Sequence, residues 1–217
     1  MRTTDQLGMR DNTITVFFSD NGGVHWMGNR AEGNKEDCPI SSNLPLRGGK
    51  ATIYEGGTRV PLIAVWPGLV EPGSRRDELV SSIDFYPTLL EMARIEPKAG
   101  HRFDGITIVP AFKGKPLRKD SAFCHFPHYV RATGNLPSTY VRKDDEKLIR
   151  LYADNSDQMD RFELYNLKND VGETFDFADR MPKKVKELNI SIECFLQETN
   201  AVVPKANPNY KGTQPGP

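Results

Sequence analysis

Cysteine is scarce in this sequence, histidine hardly less so, and neither sign of charge is in excess. The 217 residues include three cysteines, Cys38, Cys124 and Cys194. They are widely spaced, odd in number and contain no CxxC pair, so they suggest neither a zinc site nor a disulfide framework. Buried or idle thiols are the plain reading. Twenty-nine Lys and Arg offset 29 Asp and Glu. With that balance no global field draws the chain to nucleic acid or to an anionic membrane, and neither is expected as a partner. Long apolar runs are missing too: the longest, Val60 to Trp66, is stopped by Pro67. That is far short of the roughly 20 residues that span a bilayer, and it reads as a buried strand. The N-terminal MRTTDQLGMRDNT is polar and lacks the apolar stretch of a secretory signal, which taken literally describes a cytoplasmic chain. No internal repeat is visible.

What is present suffices for a core. Hydrophobic residues make up 37% of a length that suits one large domain or two small ones. Residues 3 to 9 fit the last turns of a helix closed by Gly8, and Thr13 to Phe18 reads as a short buried strand, so the chain is expected to begin in mid-fold. From Ser19 to Gly49 no periodicity emerges, which in a compact domain points either to a functional loop or to an element missed by the pattern. After the Val60 to Trp66 strand and the turn residues PGLVEPGS, Ser82 or Asp84 can cap a helix carrying Phe85, Leu89, Leu90 and Met92, with Pro87 tolerated in its first turn. Beyond KGKPLRKD the texture changes to short strands at Ser121 to Phe126, Thr139 to Arg142, Lys147 to Tyr152 and Phe162 to Tyr165. The turn Lys143-Asp144-Asp145 predicts a hairpin and a small antiparallel sheet. Met181 to Thr199 has helical spacing at Val185, Leu188, Ile192, Phe195 and Leu196, and the Pro- and Asn-rich tail from Asn200 reads as disordered.

Chemistry begins where the first strand ends, at Ser19-Asp20-Asn21-Gly22-Gly23. Ligands of open α/β sheets gather beyond the carboxyl ends of strands, and a carboxylate beside a carboxamide there offers two hard oxygen donors to Ca²⁺ or Mg²⁺. An Asx turn at a strand exit is the competing reading of those five residues. Further on stands Leu46-Arg47-Gly48-Gly49-Lys50-Ala51-Thr52-Ile53-Tyr54-Glu55-Gly56-Gly57-Thr58-Arg59-Val60-Pro61.

The order strand-SDNGG, loop, PLRGGK, YEGGTRVPLI resembles the sulfatase family of the alkaline-phosphatase superfamily. SSIDFYPTLLEMA, FDGITIVPAFKGK and ELYNLKNDVGE look like further sulfatase segments, so the resemblance runs from about Asp11 to Ala178. It implies an α/β fold: the C-terminal part of an alkaline-phosphatase-like mixed sheet with helices (residues 1–118), then a small antiparallel-sheet subdomain with a C-terminal helix (119–199) and a disordered tail (200–217). It also implies that Asp20 and Asn21 supply two ligands of a Ca²⁺ ion and that Lys50 contacts a sulfate oxygen. An ammonium beside two glycines can approach an anion closely, which agrees with that role. Glu55 and Arg59, four apart, are read as a structural pair.

The comparison equally shows what this sequence does not contain. Sulfatases of this type place two further metal-binding aspartates, the cysteine of a CxPSR-type motif that becomes formylglycine, and additional Lys and His residues ahead of the SDNG strand. Only 19 residues precede Asp20, and none of the three cysteines has the motif's followers. Asn43-Leu44-Pro45-Leu46-Arg47 has the proline and arginine spacing but presents a carboxamide, which cannot be the nucleophile. Among the four histidines, His125 and His128 lie in CHFPHY, a segment resembling a sulfatase loop near the substrate, and are assigned substrate contact. His25 is a weaker candidate for the same pocket, and His101 has no supporting context.

Three readings follow. The chain is the C-terminal fragment of a sulfuric ester hydrolase whose formylglycine lies in a preceding segment; or a binding or assembly module without turnover; or part of a phosphate or phosphonate ester hydrolase of the same superfamily. The first is favoured, with a sulfated small molecule or carbohydrate as substrate. The resemblance implies a periplasmic or secreted protein whose signal lies outside this chain.

Overall fold

A computed structural model describes residues 2–25, 41–154 and 157–210. In chain order the elements are α1 (Arg2–Gln6), β1 (Thr15–Phe18), α2 (Glu55–Thr58), β2 (Leu62–Val65), α3 (Phe85–Ala93), α4 (Val109–Phe112), β3 (Ser121–Phe126), β4 (Ser138–Lys143), β5 (Glu146–Leu151), β6 (Arg161–Asn166) and α5 (Pro182–Glu198). They form two compact units, residues 1–20 with 61–122 and residues 21–60 with 123–217. Cys38 lies outside the described residues. No helix among those described is long and apolar enough to cross a membrane.

In the first unit β1 and β2 pair antiparallel from Thr15↔Val65 to Phe18↔Leu62. Both strands were expected to be buried, and the ribbon corrects this. Phe17 and its cross-strand partner Ile63 are 59% and 57% exposed. Successive side chains point to opposite faces, and Phe18, on the other face, meets Phe85 of α3 with ring centroids 4.4 Å apart. Even so Phe18 stays 45% exposed, so neither face of this two-stranded ribbon is fully covered. The start of α3 is organised by Asp84, which is fully buried. Its carboxylate accepts the Ser81 N–H (2.8 Å), the Ile106 N–H (3.0 Å) and the Lys119 ammonium (2.6 Å).

The second unit is organised by a four-stranded sheet in the order β3-β4-β5-β6. Lys143↔Glu146 closes the predicted hairpin around Asp144 and Asp145, with Asp144 at φ 52°, a left-handed conformation that Asp tolerates. Strand periodicity then sorts the side chains onto two faces. Val141, Leu148 and Leu164 pack on Leu188, Ile192 and Leu196 of α5. Ile149, Leu151, Tyr165 and Leu167 pack with Ile53 from the other side. With both faces covered, β5 is buried at Lys147, Leu148, Ile149 and Leu151 alike. Helix α5 starts with Pro182 in its first turn, where the missing N–H costs nothing. Past it, Ala201 and Val203, the first residues of the tail read as disordered, pack against the α5 side of the core. Residues 211–217 lie outside the described ones.

Candidate functional site

The SDNGG and GGK segments are knitted together by backbone bonds. Asp20 is exposed at the exit of β1, and Asn21 opens the second unit. Within that unit Gly22 N–H donates to Gly57 O (3.0 Å), and Lys50 N–H donates to Gly23 O (3.0 Å). The Asn43 carboxamide clamps the same place: its oxygen accepts Gly23 N–H (2.9 Å), and its nitrogen donates to Gly23 O (2.9 Å) and Gly48 O (3.1 Å). Two glycines are required here by close approach. A Cβ on Gly22 would overlap the Gly56 carbonyl, and one on Gly49 would run into Gly23 O and the His25 ring. Lys50 therefore leaves this crossing with its side chain exposed.

Charged and aromatic groups on the sheet hold the crossing from below. Lys147 is fully buried on β5, its ammonium 3.0 Å from Glu55 and 2.8 Å from Glu173. Burial lifts the Glu173 carboxyl above its ordinary range, and Lys147 pulls the other way. Glu55 and Arg59, read as a pair, do approach to 3.7 Å, but Lys147 is the closer partner of Glu55. Beside them the Arg47 guanidinium lies 3.6 Å over the Tyr54 ring and donates to Tyr165 Oη (2.9 Å) and Glu173 O (3.2 Å). Tyr54 and Tyr165 both donate to Glu163, at 3.0 and 2.8 Å. Burial first, and the Glu163 charge second, push both phenols up, so they remain protonated donors. Between the PLRGG loop and residues 172–174 opens a cavity of about 700 Å³, lined among others by His25, Asn43, Arg47 and Thr174.

The two histidines of CHFPHY have different surroundings. His125 uses both ring nitrogens internally, Nδ1 with Thr139 Oγ1 (2.7 Å) and Nε2 with Val202 O (3.0 Å). The carbonyl can only accept, so Nε2 carries a hydrogen. His128 is exposed, with its ring 5.7 Å from that of Phe126. The loop that carries it is tied to the residues just after Lys50: Asn135 accepts the Ile53 N–H (3.1 Å) and donates to His128 O (3.2 Å), and Thr133 donates to Ala51 O (2.9 Å). Neither Asn135 nor Thr133 stands out in the sequence, where both look like ordinary turn residues. Among the described residues no cluster of three or more His, Cys, Asp or Glu is disposed to hold a metal. Asp20 and Asn21 offer the hard oxygens that Ca²⁺ takes, but two donors are only part of its 6 to 8.

A sequence-family model described as N-sulphoglucosamine sulphohydrolase, C-terminal, matches residues 49–200, and one described as Sulfatase matches residues 2–95. A curated sulfatase of Formosa agariphila is 35% identical over 208 residues, covering 89% of this chain and 34% of that protein. The solved structure of Ps i-CgsB in complex with k-i-k-neocarrahexaose aligns with a TM-score of 0.68 at 27% identity, covering 89% of this chain and 38% of that one. A second, in complex with its substrate D-glucosamine-2-N,6-O-disulfate, aligns with a TM-score of 0.70 at 25% identity, covering 92% and 37%. The chain spans about a third of the length of the proteins it matches.

Proposed function

The chain belongs to the sulfatase family, and we propose that it is the C-terminal part of a sulfuric ester hydrolase acting on a sulfated carbohydrate. The observation that supports the reading is the bond from Lys50 N–H to Gly23 O, which holds the GGK turn against the Gly22-Gly23 turn that follows Asn21. In this reading Lys50 is a catalytic residue. Its exposed ammonium contacts a sulfate oxygen and offsets the negative charge that grows as the ester bond breaks. Asp20 and Asn21 would hold one side of a Ca²⁺ ion, which when bound adds a fixed positive charge that polarises the sulfate. The remaining ligands and the formylglycine nucleophile are assigned to a preceding segment, without which the chain does not turn over substrate. Exposed His128, on the loop tied to Ala51 and Ile53, is the better placed of the two histidines to contact substrate. His125 is assigned to holding β3 against β4 and the tail. The carbohydrate class draws support from the ligands of the two similar structures.

The test is an aryl sulfate assay on the protein expressed with its upstream segment. Lys50→Ala is expected to lower kcat by roughly 10²-fold, as loss of one charge-stabilising donor does. Asp20→Ala should cost at least as much, and the 217-residue chain alone should show no turnover. An unchanged kcat in Lys50→Ala, or metal-dependent hydrolysis by the short chain, would sink the assignment.

A further inference from the structure

Lys147 sits in the middle of β5 with no exposed surface, 3.0 Å from Glu55 Oε1, 2.8 Å from Glu173 Oε1 and 4.5 Å over the Tyr140 ring. Burying an ammonium with two carboxylates is costly, and apolar side chains of similar volume are often as stable or more so. The same face of the sheet buries Ile149 and Leu151 without difficulty. Stability alone gives no reason for a lysine there. Oriented bonds do, because a methionine could fill the space but would direct nothing.

What those bonds direct can be followed residue by residue. Glu173 uses its other oxygen to accept the Glu55 N–H (2.7 Å), so the side chain of Glu55 is held by Lys147 directly and its backbone by Glu173, the ion-pair partner of Lys147. Glu55 begins the EGG turn. Gly56 N–H donates to Arg47 O (2.8 Å), and Gly57 O accepts the Gly22 N–H (3.0 Å). The turn has no slack: a Cβ on Gly56 would strike Gly48 O and Arg47 O, and one on Gly57 would strike Gly49 O and Thr52 O. Arg47 leads into Gly48-Gly49-Lys50, and Gly22 into Gly23, whose oxygen takes the Lys50 N–H. Arg59 and Arg142 approach Glu55 Oε2 only to 3.7 and 3.8 Å, from more exposed positions.

We propose that Lys147 is a positioning residue that, through Glu55, Glu173 and the EGG turn, sets the Lys50 loop against Gly22 and Gly23. The proposal rests on the sulfatase reading of Lys50. It is tested on the full protein with its upstream segment, using an aryl sulfate and a double-mutant cycle of Lys147→Met with Lys50→Ala. In folded Lys147→Met, kcat is expected to fall about tenfold with KM within about threefold, the pattern of misplaced rather than deleted binding. In the Lys50→Ala background the same change should lower kcat by less than about threefold, because the group being positioned is gone. Amide exchange at Lys50 and Gly56 should quicken in Lys147→Met. Equal losses in both backgrounds, or unchanged exchange at those two amides, would overturn the proposal. A Lys50→Ala protein with full activity would overturn the sulfatase reading instead, and the exchange data would still report the mechanical link. If Lys147→Met does not fold, Glu173→Gln carries the same comparison, since it removes the charge and keeps a carbonyl oxygen for the Glu55 N–H.

Discussion

The β1–β2 ribbon and the β3–β6 sheet use similar short strands, yet apolar side chains stand outside the first and charged ones inside the second. In the ribbon, Phe17 and Ile63 face outward. In the sheet, Lys147 and Glu163 are inside. Composition does not explain this, because TVFF is the more apolar strand and EKLIRL the more charged. Coverage does: α5 lies on one face of the sheet and the segment around Ile53 on the other, so every β5 residue must find a partner or an apolar neighbour. The ribbon has no comparable cover: even Phe18, which meets Phe85, stays 45% exposed.

The contrast can be broken by substitution. Leu148→Ala, at a position with no exposure, should lower stability by about 2–5 kcal/mol, read from the denaturant midpoint. A loss below about 0.5 kcal/mol would mean that the α5 face is not the core it looks to be. Asn43→Ala should cost less, about 1–3 kcal/mol, because its three bonds go to partly buried backbone groups that water can reach in part. Hydrogen exchange at Gly23 and Lys50 would report it, and unaltered protection there would remove Asn43 from its clamping role. Phe17→Thr should change stability by no more than about 0.5 kcal/mol while reducing binding of an apolar dye. A loss comparable to that of Leu148→Ala would show Phe17 to be covered after all.

Much of the second unit was legible from local pattern. Alternation and the Lys143-Asp144-Asp145 turn announced the hairpin, and 3.6-residue spacing announced α5, because those signals come from neighbours along the chain. The site was legible only through motif resemblance, and then only in part. Asn43 drew attention as a failed nucleophile position, whereas it serves as a clamp on Gly23. His125 and His128 looked equivalent, yet the ring of one is bonded to Thr139 and Val202 and the other is exposed. Asp84 was visible as a helix cap but not as the partner of Lys119, 35 residues away.

By itself the sequence determined the six strands and the helices α1, α3 and α5, though not α2 or α4, that no charge excess or apolar run commits the chain to nucleic acid or a bilayer helix, and that Asp20, Asn21 and Lys50 resemble one family's motifs. Those properties are carried by side-chain type and near-neighbour spacing. Only the tertiary structure decided that Lys147 meets Glu55 across 92 residues, that Asn135 joins the His128 loop to Ile53 across 82, and that the glycines of three separate turns touch. Such pairings depend on which faces come to be covered, and covering a face is a property of the packed chain that no local window contains.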